Sequence, residues 1–340
     1  MPIIEVNQLN KTFKQAIKEP GLKGSIKHLF TQQYKLKTAV DNINLSINEG
    51  ETVAYVGPNG AGKSTTIKML SGILVPTSGE LKVNGLVPYQ QRMKHAKQVG
   101  VVFGQRTQLW WDLPIRESYQ LLKDIYEIPE QQYKKNLDTF HDLLSLGEFI
   151  DLPARKLSLG QRMRADLAAS LLHNPPLIFL DEPTIGLDIS VKAKIRTFIK
   201  EMNKQQQSTI LLTTHDMEDI KDICERLVII DKGKIIYDGK MSKVADRFAK
   251  ERTMHFQLNS VIEQSDPSLF APLSYTQTGE RTLSITFNRF ENSAGEVAAK
   301  VMNEFEVIDF KIDEPSIDQI IQRMYEGKLD AELEQSKEAD

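Results

Sequence analysis

The sequence predicts an α/β domain with a mainly parallel sheet, followed by a small α+β domain. Two observations carry this. Residues 51–240 alternate short apolar runs with longer mixed segments, as strands and crossover helices do. Beyond about residue 246 the pattern changes to alternating strand candidates with one helical stretch. A length of 340 residues suits two domains, one able to bury a large core.

The first ten residues alternate like a strand (Ile4, Val6, Leu9), and 38–47 repeat the pattern before the turn Asn48-Glu49-Gly50. Between them, 11–37 carries seven lysines against the single acid Glu19, a local charge of +6. Within it Leu22, Ile26, Leu29 and Phe30 follow Pro20-Gly21 at helical spacing, which predicts a short amphipathic helix with basic flanks. Next comes the apolar run Thr52–Val56, then Thr65–Leu70 as a helix. Leu177–Leu180 and Leu227–Ile230 read as buried strands. In the second domain the expected strands are 254–259, 282–288 and 306–312, with helices at 294–304 and after Pro315-Ser316. The tail 329–340 holds five acids and one lysine and is expected to be disordered. The division is 1–240, with a helical part at about 106–172, then 241–328 and the tail.

Composition excludes several classes. A net charge of −3 gives no sign of nucleic acid as partner. The lone Cys224 leaves no intrachain disulfide and no multi-cysteine metal site, which fits a reducing compartment. The N-terminal residues do not form a secretory signal, and no run of 18 apolar residues occurs. Any contact with a membrane is therefore expected to pass through a partner.

Gly57-Pro58-Asn59-Gly60-Ala61-Gly62-Lys63-Ser64 satisfies G-x-x-x-x-G-K-[ST] between a strand and a helix, the context this phosphate loop needs. Its backbone N–H groups and the helix N-terminus beginning at Thr65 make an anion nest. Lys63 is placed for the β- and γ-phosphates and the Ser64 hydroxyl for Mg²⁺. Downstream, Leu177-Ile178-Phe179-Leu180-Asp181-Glu182-Pro183 ends an apolar strand in two acids. Asp181 is a candidate for holding Mg²⁺, and Glu182 for orienting an attacking water.

With these motifs the chain resembles, over about residues 1–240, the ATP-binding subunits of ABC transporters. Leu157-Ser158-Leu159-Gly160-Gln161 is similar to the family signature LSGGQ, with Leu159 in place of the middle glycine. Phe103-Gly104-Gln105 resembles the Q-loop, Thr213-Thr214-His215-Asp216 the switch histidine, and Ile185-Gly186-Leu187-Asp188 the D-loop. The resemblance implies a homodimer that encloses two Mg-ATP, Ser158 and Gly160 of each copy completing the other's site. It implies Glu182, His215 and Gln105 in catalysis, with Ser64, Asp181 and Gln105 around Mg²⁺. Adenine is expected to stack on Phe13, with Tyr34 as the rival.

Only 94 residues separate Lys63 from Leu157, and no sustained heptads fill them, so a DNA-handling relative with coiled-coil arms is excluded. A single set of motifs argues against the two-cassette translation factors. The presence of Glu182 and His215 argues against a hydrolysis-dead regulatory subunit. Trp110 and Trp111, the chain's two tryptophans, follow the Q-loop where the family receives its membrane subunit, and they are candidate docking anchors. Asp309–Ile317 resembles the extension of ATPases that serve ABC-2 type exporters. The implied partners are one or two separate permease subunits at the cytoplasmic face of the membrane. The basic segment is a candidate contact with permease or anionic headgroups, or a solvated loop.

Overall fold

The N-terminal strands form a hairpin arm longer than their apolar pattern. In the computed structural model, which describes residues 1–16, 34–104, 107–244, 251–261, 270, 273–313 and 319–321, β1 is Pro2–Ala16 and β2 is Tyr34–Asn48. The expected strands at 1–10 and 38–47 are thus too short. Residues 11–16 of the basic segment continue the ladder, Lys11 and Thr12 against Val40 and Thr38 and residues 13–16 against 34–37, down to Ala16↔Tyr34. Neither face of that outer stretch is buried, so no apolar alternation marks it; the antiparallel ladder alone holds it. The expected amphipathic helix of that segment, Gln105, the helix start at Pro315-Ser316 and the acidic tail lie outside the described residues.

The remaining strands of the larger unit are β3 (Thr52–Val56), β4 (Ser78–Val83), β5 (Val99–Phe103), β6 (Leu177–Asp181), β7 (Thr209–Thr213), β8 (Arg226–Asp231) and β9 (Lys234–Lys240). One sheet has the order β2-β1-β4 and is antiparallel; the other runs β5-β6-β7-β3-β8-β9. From β5 through β8 every neighbouring pair in it is parallel. Val53–Val56, Leu177–Leu180 and Thr209–Thr213 are buried throughout, the unbroken apolar run of strands covered on both faces. At Lys232-Gly233 both residues have positive φ, which makes the tight β8–β9 turn. Its backbone reaches the phosphate loop, Gly233 N–H donating to the Ala61 carbonyl at 2.9 Å.

Among the described residues the α-helices of this unit are α1 (Lys63–Leu70), α2 (Arg92–Ala96), α3 (Ile115–Ile125), α4 (Glu130–Leu144), α5 (Leu159–Leu171), α6 (Ile189–Gln206) and α7 (Met217–Ile223). Four contiguous parallel strands, β5, β6, β7 and β3, deliver the segments after Phe103, Asp181, Thr213 and Val56 to one carboxyl edge. That edge is where α/β sheets hold ligands.

The chain divides into two units, Met1–Gly239 and Lys240–Asp340. The second has β10 (Glu251–Leu258), β11 (Ser274–Gly279), β12 (Thr282–Asn288), α8 (Ala294–Glu304) and β13 (Val307–Asp313). Its antiparallel sheet has the order β11-β12-β10-β13. Met254, Phe256, Leu258, Leu283, Ile285 and Phe287 make its core together with Val297 and Val301 of α8. A capping box between Ser293 and Glu296 starts that helix. β11 was not expected: Ser-Tyr-Thr-Gln-Thr-Gly is a polar edge strand whose pairing, not its pattern, makes it a strand.

Candidate functional site

The loop Gly57–Gly62 links β3 to α1, and Gly62 caps the helix with φ +114°. A side chain at Gly62 would meet the Ala39 carbonyl of β2, so both its angle and its surroundings require glycine. Lys63 lies over its own loop, its Nζ donating to the carbonyls of Gly57 at 2.5 Å and Pro58 at 3.2 Å. Burial pulls the Lys63 amine below its ordinary value, while Glu182 and Asp181 oppose the shift.

Ser64 Oγ donates to Asp181 Oδ1 at 3.3 Å, and Thr213 Oγ1 donates to the same oxygen at 2.6 Å. A hydroxyl and a carboxylate converging beside a phosphate loop are the hard oxygen donors that Mg²⁺ takes along with phosphate oxygens and water. Next to Asp181, Glu182 sits at φ +59°, a left-handed backbone uncommon outside glycine. Its N–H donates to the Thr213 carbonyl at 2.9 Å, and its Oε2 lies 2.7 Å from His215 Nδ1. The two acids and the histidine are therefore gathered at the loop.

The contacts that hold this pair in place were not foreseen. Gly104 N–H donates to the Asp181 carbonyl at 2.8 Å, and a Cβ at Gly104 would fall on the Glu182 carbonyl oxygen. Thr184 Oγ1 and Thr214 Oγ1 both donate to Oδ2 of the fully buried Asp219. That carboxylate thereby holds the segment after Glu182 to the segment before His215. Arg196 Nη1 reaches its other oxygen at 3.4 Å. The THDMED run put Asp219 four residues after His215, one helical turn, which was the available signal.

At the start of α5, Ser158 Oγ accepts from Gln161 N–H while Ser158 N–H donates to Gln161 Oε1, a complete capping box. Leu157 is buried, and Leu159 is half exposed beside Gly186. Gly160 packs on Val191 of α6. Asp188 caps α6 by accepting from Val191 N–H at 2.9 Å, and this hydrogen bond lowers its carboxyl below the usual range. Ile189, next in the chain, is 81% exposed.

Phe13 and Tyr34 are both partly exposed on the hairpin arm. Phe13 pairs with Lys37 and Tyr34 with Ala16, so the two rings project from opposite faces. Only one of them can serve a given base. Trp110 and Trp111 are 38% and 50% exposed and neither is core. Two residues escaped the sequence reading here: Asp166, which accepts from Thr107 and Gln108, and Arg162, whose guanidinium lies 4.9 Å from the centroid of the Trp111 ring.

The family profile described as ABC transporter matches residues 40–185. The chain is 31% identical to the linearmycin resistance ATP-binding protein LnrL of Bacillus subtilis, covering 68% of this chain and 73% of that protein. It is 31% identical to the methionine import ATP-binding protein MetN 3 of Shouchella clausii, over 91% of this chain and 90% of that one. Among solved structures, an ATP-binding cassette dimer in a post-hydrolysis state, bound to ADP and Pi, is similar with a TM-score of 0.57. It is 27% identical and covers 70% of this chain and 98% of its own.

Proposed function

The chain belongs to the ATP-binding subunits of ABC transporters, and on that premise we propose that it drives an ABC-2 type exporter as a homodimer beneath separate permease subunits. It is an ATPase that uses Mg²⁺. In our reading Lys63 and the loop N–H groups hold the β- and γ-phosphates, and Ser64 and Asp181 hold the cation, with Gln105 as a further ligand. The cation supplies charge neutralisation at the phosphates. Ser158 and Gly160 of one copy bring a helix N-terminus and a hydroxyl to the other copy's γ-phosphate. Leu159, where the family has glycine, leaves those two groups in place. Asp188 and the D-loop line the same face. Adenine stacks on Phe13.

Glu182 accepts a proton from water as its oxygen attacks the γ-phosphorus and the bond to the β-phosphate oxygen breaks. His215 holds the Glu182 carboxylate in position. Loss of the γ-phosphate removes the tie between the copies, and the dimer reopens.

The observation that carries the permease partner is the exposure of adjacent tryptophans at Trp110 and Trp111. Two large aromatics in water are costly unless a partner covers them. The relative named for linearmycin resistance supports export of a drug-like substrate, small and hydrophobic or cationic. The near full-length likeness to a methionine import ATPase favours, as the second reading, an importer. A polysaccharide exporter remains the other ABC-2 alternative. In our reading the subunit works at the cytoplasmic face of the membrane through its permease. No described helix is long and apolar enough to cross a membrane.

The test is purification of the tagged protein from detergent-solubilised native membranes, with mass spectrometry of what accompanies it. A multispanning subunit in stoichiometric amount, reduced by Trp111→Ala, is expected. ATP-driven accumulation of substrate in inside-out vesicles carrying that pair then assigns export; uptake into right-side-out vesicles would assign import. Ribosomes or soluble proteins alone would remove the transporter reading.

A further inference from the structure

We infer that Asp166 and Arg162 fasten the 107–112 segment to the signature helix α5, so that engagement of Ser158 at its N-terminus is delivered to Trp110 and Trp111. The inference rests on the two-copy reading above, in which Ser158 meets the other copy's nucleotide.

Arg162 and Asp166 stand four residues apart, one turn and two turns from Ser158, and therefore on one face of the helix. Asp166 is 5% exposed in the middle of α5, where a small apolar residue would serve packing alone. Its Oδ1 accepts from Thr107 Oγ1 at 2.9 Å and from Gln108 N–H at 3.0 Å. The Gln108 side-chain amide returns a bond to the Asp166 carbonyl at 3.0 Å, and Thr107 Oγ1 accepts from Leu109 N–H at 3.1 Å. The segment is thus pinned to the helix through two consecutive residues, Thr107 and Gln108, and the Leu109 N–H braces the Thr107 hydroxyl. Farther along, the Arg162 guanidinium lies over the Trp111 ring, a cation–π contact. On the next helix of the chain, Tyr119 OH donates to the Ala165 carbonyl at 3.0 Å, fixing α5 from that side.

An α-helix of 13 residues is a rod of about 20 Å, much stiffer than a loop. A segment attached to it at two points moves with it. A buried carboxylate whose acceptor oxygen is filled by a hydroxyl and a backbone N–H is an attachment that neither alanine nor leucine could make. Asp166 and Arg162 are positioning residues: they act through the 107–112 segment, which they hold.

The chain has two tryptophans, both in this segment, so tryptophan emission excited beyond the tyrosine band reports it. In a Glu182→Gln background, Mg-ATP is added and dimerisation is followed by light scattering alongside tryptophan emission. The expected result is a dimer with a shifted emission. Adding Asp166→Ala should leave the dimer and abolish the shift; Asp166→Asn, which keeps the accepting Oδ1, should restore it. Arg162→Gln tests the second attachment without emptying the helix interior and should reduce the shift. A dimer whose emission shift persists in full in Asp166→Ala or Arg162→Gln overturns the inference. Absence of an ATP-dependent dimer in the parent overturns the two-copy reading itself, and is distinguished by the scattering signal.

Discussion

His215 Nδ1 lies 2.7 Å from Glu182 Oε2, joining the ends of β7 and β6 above the phosphate loop. Glu182 is held there in a left-handed backbone that its surroundings impose. Replacing its carboxylate with an amide removes the proton acceptor and keeps the shape. Glu182→Gln is expected to lower the rate of phosphate release by about 10²–10⁴ while leaving ATP binding intact. Wild-type turnover in that variant would refute the assignment of the base.

Gly104 sets where Glu182 can be. A methyl group there would strike the Glu182 carbonyl oxygen, which is backbone and cannot swing aside. Gly104→Ala should therefore displace the carboxylate and cut kcat by about 10²-fold, since a misplacement of ~1 Å costs that much. The KM for ATP should change little, because the phosphate loop is untouched. A proportional rise in KM would show that Gly104 acts on binding instead.

Lys63 donates to two carbonyls of its own loop and is drawn towards neutrality by burial. Charge-assisted bonds to phosphate are worth about 1.5–3 kcal/mol, so Lys63→Ala should weaken ATP binding roughly 10- to 150-fold. Calorimetric titration with ATP measures this directly.

The Asp166 carboxyl is pushed up to about 6, chiefly by burial, against the bonds from Gln108 and Thr107 and the charge of Arg162. An acid whose folded value lies above its unfolded value binds more protons when folded. Stability is therefore highest while Asp166 is protonated and falls as pH rises from about 4 to 6. At pH 7 the full penalty is present, up to ~3 kcal/mol for a shift of about two units. Asp166→Asn should raise the unfolding midpoint in urea at pH 7 and leave it nearly unchanged at pH 4. An equal effect at both values would contradict the linkage.

Asp219 is fully buried between Thr184, Thr214 and Arg196. Asp219→Ala leaves the Thr184 and Thr214 hydroxyls without their acceptor, while Arg196 keeps Glu218 and Asp222, and should destabilise the larger unit by about 1–3 kcal/mol. Denaturant unfolding monitored by circular dichroism gives the value, and no measurable loss would show the carboxylate to be dispensable.

The strand–loop–helix around Gly57–Ser64 and the apolar run into Asp181-Glu182 were legible because spacing and period both mark them. Burial on two faces makes β6 and β7 apolar along their whole length, and that reads plainly in Leu177–Leu180. The outer hairpin arm did not read as strand because Lys14, Lys35 and Lys37 are exposed and leave no alternation. β11 was hidden for the same reason. Asp219 and Asp166 were missed because a buried acid on a helix looks, in sequence, like any surface acid. What distinguishes them is the hydroxyls that fold against them: Thr184 and the nearby Thr214 in one case, Thr107 in the other, with Thr184 and Thr107 far away along the chain.

The capping box at Ser158 has a thermodynamic consequence for assembly. Its Oγ already accepts the Gln161 N–H, so the hydroxyl hydrogen is left to point outward while the helix end is complete without any visitor. Nothing at that end must order when a nucleotide arrives, and the conformational entropy has been surrendered during folding. In the proposed dimer, association spends its free energy on the phosphate, and separation afterwards leaves the helix end formed for the next cycle.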